Sequence, residues 1–176
     1  MNRLESIRRE VDSILLRLVS DEDRRCGFVH LYGVSLTATW LAERRGLHPE
    51  LAATAGMLHD LATYATRESA DHAAASARLA AGLLARLGTF SRTEIDLISG
   101  AIARHSDKAS VDGPMDELLK DADVLQHWLY DPSLPPQASH ADRRIRLRKE
   151  LTHSTELPLT AERPKSSARG LDDSTS

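Results

Sequence analysis

The chain has 176 residues, of which 41% are hydrophobic, 28% charged and 4% aromatic, and its formal net charge is −3. That length and balance suit one modest soluble domain and give no basic excess to draw the molecule as a whole to a nucleic-acid polymer. A lone Cys26 excludes an internal disulfide framework and a Cys-rich zinc or iron–sulfur site, and no apolar run approaches the roughly 20 residues that span a bilayer.

Leu and Ala number 26 and 23 against 6 Val and 6 Ile, so helix formers dominate and an all-α fold of about six to seven helices is expected. Over residues 3–19, Leu4, Ile7, Val11, Ile14, Leu15 and Leu18 trace one apolar helical face. The charged N-terminal stretch around Arg3, Glu5, Arg8, Arg9 and Glu10 is unlike a signal peptide, and with the single Cys it points to a reducing cytoplasm. After a charged segment at 20–25, the spacing predicts a second helix over 27–45, stopped at Gly46.

His48-Pro49 reads as an N-cap and first-turn pair opening a third helix over 49–62, in which Ala52, Ala53, Ala55 and Gly56 would let a neighbouring backbone approach closely. Residues 63–70 lack periodicity and suit a lid or cleft wall, after which Asp71 is placed to cap an alanine-rich helix ending before Gly88. Ser91-Arg92-Thr93-Glu94 matches a capping box for a fifth helix ending near His105. Residues 106–113 read as loop, Pro114 as a helix start and Asp131-Pro132 as its end, and a weaker arginine-rich helix is expected over 138–151. The resulting partition is a helical domain over 1–152 and a flexible polar tail over 153–176, rich in Ser, Thr, Pro and charge.

His59-Asp60 alone carries little information, but chemistry-bearing residues recur on or beside successive predicted helices: His30, then His59-Asp60, then His72, His105 and Asp123. The segments around them are Phe28-Val29-His30-Leu31-Tyr32-Gly33-Val34, Ala55-Gly56-Met57-Leu58-His59-Asp60, Asp71-His72-Ala73-Ala74-Ala75-Ser76-Ala77, Ile102-Ala103-Arg104-His105 and Lys120-Asp121-Ala122-Asp123-Val124-Leu125. In that order and setting they resemble the HD superfamily of metal-dependent phosphohydrolases in its six-ligand, two-metal form. The resemblance implies that His30, His59, Asp60 and Asp123 form a basic four-ligand site, that His72 and His105 hold a second metal, and that Asp60 bridges the two. Asp121 is the weaker alternative to Asp123 as the last ligand.

Neutral imidazole and carboxylate suit divalent Fe, Mn, Zn, Co or Ni, and two ions, Fe or Mn before the others, are the cofactors expected. Two such ions outweigh the −2 of Asp60 and Asp123, attract phosphate oxygen and can share an activated water, so a hydroxide from solvent rather than a side chain is the expected nucleophile. No Gly-x-Ser-x-Gly elbow or Gly-rich Lys-Ser/Thr phosphate loop competes with that reading. Lys108 is the first choice for a substrate phosphate contact and Asp107 for positioning water or transferring a proton. Arg24, Arg25, Arg67, Arg104 and Lys120 are further cationic candidates.

Plainer roles stand beside these. His72 has the alternative of helix capping near Asp71, and His105 that of an imidazole at a helix C-terminus. His127, one turn after Asp123, is placed where it could face the cleft but is read first as a surface residue or an outer partner of the site, His48, His140 and His153 as exposed, and the 143–149 cluster as a solvated face. The function expected is hydrolysis of a phosphate ester in a nucleotide or other small phosphorylated metabolite, with no membrane or nucleic-acid partner. The alternatives are a di-iron oxygenase, whose six-ligand arrangement is similar, and a non-catalytic metal-containing sensor or interaction module.

Overall fold

The computed structural model describes residues 2–66, 71–133, 135 and 138–152. Among the described residues there are helices and no strands: α1 (Arg3–Leu15), α2 (Asp21–Arg45), α3 (Pro49–Leu58), α4 (Leu61–Thr66), α5 (His72–Leu87), α6 (Arg92–Arg104), α7 (Pro114–Tyr130) and α8 (Ala138–Thr152). The expected all-α architecture is therefore the observed one. None of these helices is long and apolar enough to cross a membrane. The tail expected over 153–176 lies outside the described residues, as does half of the expected lid segment, at 67–70, while 63–66 belong to α4.

The helices close on one core that includes Ile7, Val11 and Leu15 of α1, Leu31, Val34 and Leu41 of α2, Met57 and Leu58 of α3, Ile98 and Ile102 of α6 and Leu118 and Leu119 of α7. At the crossing of α2 and α3 the backbones nearly touch: a Cβ on Gly56 would lie 2.8 Å from the Val34 carbonyl oxygen and 2.9 Å from Ser35 Cα. The small residues expected to permit close approach do so here, and the crossing brings the middle of α2 against the end of α3. Ser35 Oγ donates to Ala53 O across the same seam, and Thr37 Oγ1 donates to Ala122 O of α7.

Three boundaries differ from the sequence reading. The first helix ends at Leu15 instead of Val19, because its last turn tightens, with Arg17 and Leu18 donating to the carbonyls three residues back. The segment 20–25 is the first turn of α2: Ser20 Oγ accepts from Asp23 N, and Asp21, Glu22 and Asp23 lie at the positive end of the helix dipole. The third helix does not run unbroken to Ala62. It ends at Leu58, and α4 starts at Leu61 after a turn made of His59 and Asp60. Asp71 occupies the N-cap position of α5 without making a side-chain cap bond, whereas the capping box at Ser91 and Glu94 is complete.

Candidate metal centre

Five elements deliver side chains to one point. His30 projects from the middle of α2, His59 and Asp60 from the α3–α4 turn, His72 from the first residue of α5, His105 from the C-cap of α6 and Asp123 from the buried face of α7. His59 and His105 are oriented by the same local device: each sits just past a helix end and donates its Nδ1–H to the carbonyl three residues back, Gly56 O at 2.8 Å and Ile102 O at 2.7 Å. A carbonyl left over at the helix terminus thus fixes the tautomer, and Nε2 is presented as a lone-pair donor. His30 reaches the same state through a long-range partner, its Nδ1 lying 2.9 Å from Gln126 Oε1.

The Nε2 atoms converge on the carboxylates. His30 Nε2 and His59 Nε2 are 3.1 Å apart. They lie 3.4 and 3.6 Å from Asp60 Oδ2 and 3.7 and 3.9 Å from Asp123 Oδ1. On the other side, His72 Nε2 and His105 Nε2 are 3.7 and 3.2 Å from Asp60 Oδ1. With both Nδ1 atoms protonated, the Nε2 lone pairs of His30 and His59 face each other at 3.1 Å, a repulsion that a cation between them would relieve. Asp60 Oδ1 and Asp123 Oδ1 are moreover buried with no hydrogen-bond partner, and an unsatisfied buried carboxylate oxygen is costly. Both observations fit a donor set shaped for metal ions.

Electrostatics keep these groups in ligating forms. Burial pushes the His59 imidazole down to about 3, so it is neutral at physiological pH. Burial alone would push Asp60 up, but the positive charge that His59, His105 and His30 carry when protonated opposes this, so Asp60 stays well below the usual carboxylate range and is ionised. Asp123 is likewise held down against its burial by Lys108, His59 and His30.

Lys108 is buried on the loop after α6, and its Nζ donates to His105 O at 2.7 Å and Asp123 Oδ2 at 2.6 Å. Asp107 is not brought into the cluster: it is exposed, and its carboxylate accepts from the Ala109 and Ser110 amides and from Ser110 Oγ. Asp121 faces the opposite side of α7 from Asp123, paired with Arg143 at 3.0 Å and Arg45 at 2.9 Å.

Of the other cationic candidates, Arg24 bonds Asp21 and Leu18 O, Arg104 pairs with Asp116, and Lys120 is fully buried against Asp112 and Glu117. Arg67 lies outside the described residues. Arg25 Nη1 is 3.4 Å from Tyr130 Oη at the mouth of an open cleft of about 310 Å³, lined by Cys26, Val29, His30, Asp60, Tyr64, Gln126, His127 and Tyr130.

Two features go beyond the sequence reading. Arg143 is not part of a solvated face. It is 2% exposed, and it donates from Nε to Lys108 O and from Nη2 to Ser110 O, tying the 106–113 loop to α8. His127 reaches the centre, with Nε2 3.4 Å from Asp123 Oδ1. Its spacing of four residues from Asp123 was the available signal.

The sequence model of the HD domain matches residues 27–128. A crystal structure described as that of a predicted HD superfamily hydrolase, from an uncultured Thermotogales bacterium, superposes with a TM-score of 0.54. That alignment is 23% identical and covers 86% of this chain and 94% of that one, a likeness of fold. No curated protein is significantly similar to the chain in sequence.

Proposed function

Because the chain belongs to the HD-domain family, we propose that it is a metal-dependent phosphohydrolase with two divalent ions, cleaving a phosphate ester of a nucleotide or another small phosphorylated metabolite. The observation that carries this reading is the division of Asp60, whose Oδ2 faces His30 and His59 while Oδ1 faces His72 and His105. One carboxylate set between two pairs of imidazoles is the donor arrangement for a bridged pair of cations, and Asp123 completes the first half. Imidazole and carboxylate donors are compatible with Fe, Mn, Zn, Co or Ni, and Fe or Mn is the assignment we propose first.

When bound, such a pair supplies Lewis acidity, which lowers the pKa of a water and polarises a phosphoryl oxygen. The chain's own groups do the remaining work. The Nδ1–H bonds of His30, His59 and His105 keep the rings aimed, so no reorganisation is needed as the reaction proceeds. Lys108 Nζ, held on Asp123 and on the His105 carbonyl, places a fixed positive charge beside the centre, where it can answer the charge of a phosphoryl group. Val29, Tyr64 and Tyr130 give the adjoining cleft apolar walls for the rest of the substrate.

The test is to load the purified chain with each candidate metal, measure metal per chain, and assay phosphate release from phosphomonoesters, phosphodiesters and pyrophosphates. About two ions per chain and turnover that Asp60→Ala abolishes are expected. Fewer than one ion per chain with no hydrolysis overturns the proposal, and oxygen consumption dependent on ferrous iron would replace it with the oxygenase reading.

A further inference from the structure

We infer that His127 is a fifth protein donor to the ion held by His30, His59, Asp60 and Asp123, so that the centre is asymmetric, with one tightly held ion beside a weaker one. The inference rests on the metal-centre reading above and extends it to a residue outside the six-residue pattern.

The starting point is Asp123 Oδ1. It is buried and makes no hydrogen bond, on a residue only 7% exposed, and three imidazole nitrogens surround it. His127 Nε2 is the nearest at 3.4 Å, ahead of His30 at 3.7 Å and His59 at 3.9 Å. His127 lies one turn beyond Asp123 on α7, where a helix places two side chains on the same face. Its ring centroid is 5.0 Å from that of His30.

Ligand atoms of His30, Asp123 and His127 all lie within 4.8 Å of one another, as do those of His30, His59 and Asp60. Donors bound to one ion at about 2.0–2.2 Å stand within about 4.4 Å of each other, so only small adjustments separate each set from a coordination geometry. His30 belongs to both, and Asp123 Oδ1 lies 3.9 Å from His59 Nε2, so the two sets adjoin.

Among the described residues the opposite half has three donors, His72, His105 and Asp60 Oδ1. Five protein donors leave little room for solvent, whereas three leave positions open for water and substrate, the usual distinction between a holding site and a reacting one. His127 also lines the cleft and its side chain is 60% exposed, so it closes the tighter half from the side by which ligands enter.

The experiment titrates the chelator-stripped full chain with Co²⁺ or Mn²⁺ against a competing chelator and records the Co²⁺ absorption spectrum. The unsubstituted chain is expected to show two classes of binding. In His127→Gln the tight class weakens by at least the 10- to 100-fold typical of losing even an outer partner of a metal site, its Co²⁺ spectrum changes, and the weak class is untouched. His72→Ala should do the reverse, removing the weak class alone. If the unsubstituted chain binds two ions and His127→Gln matches it in affinity and spectrum, His127 is a surface histidine beside Asp123 and this inference fails while the metal-centre reading stands. If the unsubstituted chain binds no divalent ion, both fail.

Discussion

Lys108 Nζ sits 2.6 Å from Asp123 Oδ2, and the two side chains are only 4% and 11% exposed. One oxygen of Asp123 is therefore answered by an ammonium while the other has no hydrogen-bond partner. Breaking a buried ion pair by removing one member leaves a charge that solvent cannot reach, at a cost of about 3–5 kcal/mol. Lys108→Met is expected to destabilise the chelator-treated chain by about 3 kcal/mol in urea unfolding. A metal ion on the free oxygen would answer the same charge, so the loss should shrink clearly in metal-loaded protein. Equal losses in the two states would mean that Asp123 is not a ligand.

Asp60 and Asp107 make a contrasting pair. Asp60→Asn keeps the shape of the side chain but removes the charge shared by both halves of the centre, so metal content should fall at both sites and phosphate hydrolysis by about 10³-fold or more, on the scale of losing a transition-state stabilising group. Asp107→Ala removes only an exposed turn around Ser110 and should leave metal content, hydrolysis and stability close to unsubstituted levels. A large loss of turnover in Asp107→Ala at full metal content would restore Asp107 to the reacting groups.

Arg143 offers a prediction outside the segment matched by the HD-domain model. Its guanidinium bonds Lys108 O, Ser110 O, Glu117 and Asp121 at once, and a planar fork with that many partners is not replaced by a point charge. Arg143→Lys should lower stability by about 1–3 kcal/mol and speed proteolytic nicking within 106–113. Arg146→Lys, exposed on the same helix, is the control and should change neither. Unaltered nicking in Arg143→Lys would show that α8 does not restrain the loop.

Much of this architecture was legible before any coordinates. Period and caps located most of the helices, because Gly46, Gly88, Pro49, Pro114 and the Ser91 box act locally and the chain obeys them. The break at His59-Asp60 was not legible: Leu58, Leu61 and Ala62 continue an apolar pattern, and the turn is stabilised by tertiary partners such as Ser76 Oγ, which accepts from Ala62 N. The outward charge of α8 likewise concealed Arg143, since periodicity cannot reveal that one arginine in a basic run meets Glu117 and Asp121 from another helix. His127 was visible as a helical neighbour of Asp123, but its distance from His30 depends on how α2 crosses α7.

Glu117 gives the pH dependence a sign. Burial pushes its carboxyl up, but Arg143, Lys120 and the Asp112 amide more than offset this and hold it at about 2, against an ordinary value of 4.5. A carboxylate whose pKa is depressed by folding contributes stability that is complete above its unfolded pKa and is lost as pH falls toward the folded one. In metal-free protein, unfolding midpoints should therefore drop between about pH 5 and pH 2. Glu117→Gln has no proton to take up at this position. It should be less stable at neutral pH, because Arg143 and Lys120 lose a charged partner, yet show a shallower acid slope than the unsubstituted chain. Asp60 and Asp123 are also depressed, but they are present in both proteins, so the difference between the two slopes isolates Glu117. Parallel slopes would mean that Glu117 carries no depressed pKa and that the buried cations are neutralised by Asp112 and Asp121 alone.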